Sequence, residues 1–287
     1  MADSSLNPLH GSDLSPVPQP GFEEVLSEAG QQVSLEAWLV EQVERILADH
    51  PGSDETDSPV IVGVAGSVAV GKSSLAARLA DTISIHSPAT RTVVVATDSF
   101  LLPNRELDRL GLSMRKGFPE SFDYAAMLAA VSALRQGMAV RVPEYSHVDY
   151  DIVPGGFTTI EHPNLVIIEG VNVLQPSPES GSTLAELLDL RIYLDADPGD
   201  IGAWFVDRFL RLCAQEVDAH ELGSHPSGFY AGFAGMEPAA VRSIAEWTWN
   251  EINEPNLRQY IQPSRSVADV IVEKGSEHQV RRVLRRS

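Results

Sequence analysis

Short apolar runs recur along the chain from Val60 onward: "VIVGVA" at 60–65, "TVVVAT" at 92–97, "NLVIIEG" at 164–170, "LRIYLDA" at 190–196 and "ADVIVEKG" at 268–275. Each is nearly continuous in β-branched and aliphatic residues rather than alternating with polar ones, as expected of strands covered on both faces. The stretches between them follow a helical period. In "DYAAMLAAVSALRQG", Tyr124, Met127, Leu128, Val131 and Leu134 form one stripe, with Asp123 placed to cap the first turn and Gly137 to stop the last. "EPAAVRSIAEWTWNEIN" opens with Pro238 in a first-turn position and predicts a helix to about Asn253. Ahead of the first strand, Leu35, Trp38, Leu39, Val43, Ile46 and Leu47 recur at helical spacing behind Ser34, a cap residue. Strands alternating with helices predict an α/β fold, a mostly parallel sheet with helices on both faces. Residues 34–287 read as a single domain without internal repeats. Residues 1–33 have little periodicity and read as a disordered acidic tail, and "DHPGSDETDSP" reads as an acidic linker.

Charge and composition narrow the classes. The chain of 287 residues carries a net charge of -19. Up to Ser58 there are twelve Asp and Glu against Arg45 alone, so more than half of the excess lies ahead of the first strand. Such a balance argues against nucleic acid as a partner, because phosphate contacts need clustered Lys and Arg. There is no apolar run of about 18 residues, and the amino terminus has no charged start followed by an apolar stretch, so no membrane is expected and the location predicted is cytoplasmic. The lone Cys213 offers neither a bridge nor a zinc pattern and reads as a small buried residue on a helix. "HELGSH" holds His220, Glu221 and His225, but its Gly-Ser-Pro surroundings favour solvated loop over metal. The basic "VRRVLRR" end is too short for nucleic acid and is expected to meet acidic surface of its own fold or of a partner copy.

One stretch is shaped for chemistry. In "VGVAGSVAVGKSSLAARLA" the first strand runs into Gly66 and Gly71, five apart, followed by Lys72 and Ser73, the pattern G-x-x-x-x-G-K-[ST]. The following residues are good helix formers with a stripe at Leu75, Leu79 and Ile83. A turn of this kind aims successive N–H groups from a helix amino end, where the dipole also favours anions. Gly66, Ser67, Val68, Ala69, Val70, Gly71, Lys72, Ser73 and Ser74 are therefore expected to cradle the phosphates of ATP, with Lys72 reaching the terminal groups and the Ser73 hydroxyl on Mg²⁺. Two acids stand at carboxyl ends of strands, where ligands of open α/β sheets bind. Asp98 follows "VVVAT" and serves phosphoryl transfer or caps a helix. Glu169 follows "LVII" and helps hold Mg²⁺ through water or turns to solvent.

Beyond this loop, "TDSFLLPN", "MRKGFPESFD", "PEYSHVDYDIVP", "IIEGVNVLQ", "IYLDADPGDIGAWFVDRF" and "WNEINEPNLRQYIQPSR" follow in order. From about Leu35 to the carboxyl end the chain resembles the bacterial type I pantothenate kinases, in the P-loop kinase group that includes phosphoribulokinase and uridine kinase. The resemblance implies ATP-dependent phosphorylation of pantothenate, the first step towards coenzyme A, by a homodimer with CoA as feedback inhibitor. It further implies that Asp98 orients the acceptor hydroxyl, that Arg208 meets the transferring phosphoryl, and that Tyr145, His147 and Tyr150 line the acceptor pocket with Asn253 bonding its polar middle. Three departures stand out. Phe205 replaces the family's usual Tyr, which removes one hydroxyl from the substrate pocket. Ala77 stands where Arg is common, with Arg78 next to it. Leu212 replaces an aromatic, and "HPSGFYAGF" at 225–233 is only loosely family-like, so weakened CoA feedback is expected. Two other readings stay open: a related kinase for a nucleoside or sugar-like hydroxyl, favoured by Phe205, and a non-catalytic nucleotide-binding regulator acting through the acidic tail.

Overall fold

The computed structural model describes residues 21–27, 34–49, 58–221, 228–233 and 235–287, with side chains left out of account over 216–221. In chain order the elements are strand β1 (Phe22–Ser27), helix α1 (Leu35–Asp49), β2 (Val60–Gly66), α2 (Lys72–His86), β3 (Thr92–Ala96), α3 (Asn104–Leu110), α4 (Tyr124–Arg135), β4 (Val140–Ser146), β5 (Asp151–Ile160), β6 (Leu165–Glu169), β7 (Leu190–Asp195), α5 (Pro198–Glu221), α6 (Pro238–Thr248), β8 (Val270–Lys274) and β9 (Val280–Arg286). The chain leaves α6 through wide π turns at Trp249–Asn253 and Leu257–Ile261.

The main sheet has seven strands in the order β1-β9-β8-β7-β2-β6-β3. All five apolar runs are strands, and they pair in parallel with one another. Every residue of β2 and β6 is buried, so both faces of the sheet centre are covered. Leu75, Leu79 and Ile83 seat α2 on this sheet, and Leu35, Leu39 and Val43 of α1 join the same core. The caps read from sequence are present: Ala37 N–H donates to Ser34 Oγ at 3.2 Å and Ala126 N–H to Asp123 Oδ1 at 2.9 Å. From β2 the chain goes out to β3, returns to place β6 between them, then crosses to the other side of β2 for β7 and β8. This reversal opens a crevice at the carboxyl ends beside β2, where such sheets bind ligands.

Three elements depart from the sequence reading. Within the tail expected over 1–33, Phe22–Ser27 forms an edge strand antiparallel to β9, while residues 1–20 and 28–33 lie outside those described, as does 50–57 of the acidic linker. The second is β9 itself, formed by the basic end. Arg282 Nε donates to Glu273 at 2.5 Å and Arg285 pairs with Glu23 of β1 at 2.7 Å, so this segment does meet acids of its own fold. The third is the two-stranded ribbon β4–β5, mostly half-buried or exposed on β5, whose Pro and Gly residues hide the alternation of a strand.

Candidate functional site

The loop after β2 turns back on itself at Gly66 (φ 141°), Ala69 (φ 59°) and Gly71 (φ 98°), and Gly71 is the residue from which α2 starts. A side chain at Gly66 would stand 3.1 Å from Val70 Cγ1 and closer still to the Leu194 carbonyl oxygen, so the loop can hug the end of β7 only with glycine there. Ser67 is buried and its Oγ has no hydrogen-bond partner, an orphaned donor inside the loop. Lys72 folds back over the loop, and its Nζ donates to Ser67 O at 2.8 Å. Burial lowers the Lys72 pKa, Glu169 and Asp98 oppose that by attraction, and Arg208 adds to it by repulsion. Four of the residues read as functional thus share one electrostatic neighbourhood at the end of β2.

Register explains the meeting of the two acids. Ala96 of β3 pairs with Glu169 of β6, so Asp98, just beyond β3, lies one strand over from Glu169. Glu169 is buried and does not turn to solvent; it accepts from Ser73 Oγ at 2.7 Å. Asp98 sits in a short 3₁₀ turn, Thr97–Phe100, is half-buried, and lies near enough for its charge to act on Lys72. Arg208 is exposed on α5 and makes no ion pair among the described residues.

The ribbon forms the opposite wall. Tyr145 lies 5.2 Å from His147 and 6.2 Å from Tyr150, and Tyr150 stacks on Phe229 at 4.8 Å. Burial raises the Tyr145 and Tyr150 pKa values, and the nearby Asp98 raises both further. Both rings therefore stay neutral within reach of the carboxylate's field. Arg208 opposes the rise at Tyr150 and at Tyr230, so its charge is felt by both rings. Further back, Phe205 packs 6.1 Å from Phe209 and 6.1 Å from Trp249, and Phe209 meets Tyr230 at 5.4 Å. Asn253 is half-buried at the end of the wide turn that Trp249 opens. Trp249 is buried and Trp247 is 49% exposed, so the two do not share a face.

Lys116 is a residue that sequence reading missed. Its Nζ donates to Asn104 Oδ1 at 2.7 Å and also to the Tyr150 carbonyl, lying 4.8 Å from the Tyr150 ring centre and 5.4 Å from that of Tyr145. Burial lowers its pKa against the pull of Asp151 and Asp98. Tyr150 has a left-handed backbone (φ 56°), and Lys116 together with Asn104 Nδ2 holds its carbonyl. The signal lay in "MRKGFPESFD", where Lys116, between Arg115 and Gly117, stood out only as part of the resemblance. Lys274, at the end of β8, donates to Val70 O at 2.9 Å and was likewise not foreseen. Of the departures, exposed Ala77 is not replaced by its neighbour, since Arg78 Nε turns to Glu36 of α1 at 3.0 Å.

A curated pantothenate kinase of Leifsonia xyli subsp. xyli is 38% identical over all of this chain and 90% of its own length. The chain belongs to the pantothenate kinase family. A pantothenate kinase of Mesorhizobium japonicum is 41% identical over 80% of this chain and 72% of its own length. Residues 61–203 match the model of the phosphoribulokinase and uridine kinase family, a span that runs from β2 through the phosphate loop and β7 into α5. Among solved structures, a D-glycerate 3-kinase from Cryptococcus neoformans superposes with a TM-score of 0.60 at 16% identity, covering 88% of this chain and 99% of that one. That likeness speaks for the P-loop kinase fold alone.

Proposed function

We propose that this chain transfers the terminal phosphoryl of ATP to the primary hydroxyl of pantothenate, giving 4'-phosphopantothenate. The observation that carries it is the convergence of Lys72, Asp98, Glu169 and Arg208 between the phosphate loop and a wall of Tyr145, His147 and Tyr150. An incoming polyphosphate supplies the negative charge that the buried Lys72 lacks, and the Ser67 hydroxyl and loop N–H groups complete the cradle. Asp98 orients the acceptor hydroxyl and takes its proton, while Arg208 offsets charge on the transferring group. Tyr145, His147, Tyr150 and Asn253 hold the acceptor, with Phe205 and Trp249 as its apolar end. One hydroxyl, Ser73 Oγ, beside one carboxylate, Glu169, suits Mg²⁺, which keeps several waters and takes few protein ligands. Once bound, the ion neutralises phosphate charge; the chain's part is to hold Ser73 and Glu169 2.7 Å apart under the loop.

The same reading includes a homodimer, which sedimentation equilibrium measures, and a cytoplasmic location; no described helix is long and apolar enough to cross a membrane. It also includes weakened inhibition by CoA, because Phe205 and the half-buried Leu212 remove polar and aromatic groups from the pocket's far end. Strong inhibition by micromolar CoA, competitive with ATP, contradicts that part. The central test is ADP release with pantothenate, uridine and ribulose 5-phosphate side by side, in the parent and Asp98→Ala. Turnover with pantothenate alone, falling about 100-fold or more in the variant with nucleotide binding kept, is the expected result. Turnover with uridine or the sugar phosphate but not pantothenate transfers the assignment to another acceptor, and none with any acceptor favours the regulator.

A further inference from the structure

Beside the two acids at the ends of β3 and β6, the chain makes an unusually close crossing. Thr97, the residue before Asp98, is fully buried, and its Oγ1 has no hydrogen-bond partner. It is pressed against Gly170, the residue after Glu169. A Cβ added to Gly170 would lie 2.8 Å from Thr97 Cβ and 3.0 Å from Thr97 Cγ2, and nearer still to Oγ1. Rotation of the threonine cannot relieve this, because its Cβ is already inside the contact distance. Both sides are anchored: Ala96 and Glu169 are register partners, and Gly170 N–H donates to Val64 O of β2 at 3.1 Å. A buried hydroxyl without a partner is costly, so hydrogen bonding does not account for a threonine here, whereas its shape against a bare Cα does.

We propose that Thr97 and Gly170 form a steric joint that sets the spacing of Asp98 and Glu169, making Gly170 a positioning residue for phosphoryl transfer. This rests on the reading of Asp98 and Glu169 given above. The joint acts through distance: any side chain at 170 pushes the 3₁₀ turn Thr97–Phe100, and with it Asp98, away from β6. Reacting groups displaced by a fraction of an ångström to an ångström lose much of the benefit of prior alignment. Gly170 N–H is tied to Val64 O of β2, so the side that gives way is the turn carrying Asp98, and nucleotide affinity is expected to be spared.

The test is a double-substitution cycle on Gly170→Ala and Thr97→Ala, measured as kcat and KM with pantothenate, as dissociation of a fluorescent ATP analogue, and as thermal midpoint. Gly170→Ala is expected to lower kcat about 10- to 100-fold with analogue affinity held within about threefold. Adding Thr97→Ala removes Oγ1, the nearest atom, together with Cγ2, leaving only the lesser overlap at Cβ (2.8 Å), and is expected to return at least about fivefold of the lost turnover, a coupling that a purely structural defect does not show. Unchanged kcat in Gly170→Ala overturns the proposal. So does a joint loss of midpoint, nucleotide binding and turnover that Thr97→Ala leaves uncorrected. Asp98→Ala run in parallel separates the two levels: full turnover there removes the underlying reading, whereas its loss beside a fully active Gly170→Ala removes only the joint.

Discussion

Replacing Lys116 by Met keeps the length of the side chain and deletes its charge, so the consequences follow from what Nζ holds. Two acceptors lose a charged donor, Asn104 Oδ1 at 2.7 Å and the Tyr150 carbonyl. A hydrogen bond from a charged group contributes about 1.5–3 kcal/mol. The two losses do not simply add, because Asn104 remains tied through its N–H to Asp151 Oδ1 at 2.8 Å and through Nδ2 to Tyr150 O at 3.2 Å. A net loss near that of one such bond, about 1.5–3 kcal/mol, is the working value. Tyr150 is the residue that pays, since a left-handed backbone on a bulky side chain costs about 1–3 kcal/mol and persists only where neighbours over-determine it. Once released, Tyr150 drifts from its stack on Phe229 and from Tyr145, and the acceptor wall loses its shape. At about 1.4 kcal/mol per tenfold, kcat/KM for pantothenate should fall roughly 10- to 100-fold. KM for ATP should stay within about twofold, because the charges that act on Lys116 are Asp151 and Asp98 rather than groups of the phosphate loop. The assay is coupled ADP release with each substrate varied in turn. Pantothenate kinetics indistinguishable from the parent, or a change confined to ATP, would refute the reasoning.

Other outcomes follow from the same contacts. Phe205→Tyr restores a phenol hydroxyl beside Trp249 and should strengthen acceptor binding by about 0.5–1.5 kcal/mol, read as a KM for pantothenate lowered up to about tenfold; a raised KM counts against the pocket assignment. Because burial lowers the Lys72 pKa, free enzyme sheds that proton at a lower pH than an exposed lysine does, and bound phosphates restore it. In the window between those two pKa values nucleotide binding should take up a proton, and at pH below the depressed value it should not, as titration calorimetry in buffers of different ionisation enthalpy can measure. The sign for stability agrees: a lysine with a depressed folded-state pKa disfavours folding where it is charged in both states, and the deficit shrinks as pH rises through the depressed value. Leu79→Ala, at a fully buried position where α2 meets the sheet, should cost about 2–5 kcal/mol in urea unfolding while leaving KM for ATP nearly unchanged.

The five parallel strands, the three capped or proline-led helices and the phosphate loop were all legible in the linear order of residues. Each rests on interactions within a few residues: a strand buried on both faces must be apolar throughout, a helix shows its stripe, and a loop that offers its amides to an anion needs glycines at set offsets. β1 and β9 were not legible, because charged Glu23, Glu24, Arg281, Arg282, Arg285 and Arg286 form a sheet edge only when brought together, with Arg285 meeting Glu23 and Arg282 meeting Glu273 of β8. Nor was the ribbon, whose exposed residues carry no periodic signal until it closes over the crevice. Local pattern likewise named Asp98 and Glu169 as strand-end acids while leaving their roles open. Only the β3–β6 register brought them side by side, and only the packing of Thr97 on Gly170 set their spacing. Lys116 and the backbone of Tyr150 meet across a wide gap in sequence, so no local rule could have linked them. What a short stretch of chain can stabilise by itself was written in its residues; what depends on charges and surfaces from distant segments sharing one low-dielectric crevice came into being with the tertiary fold.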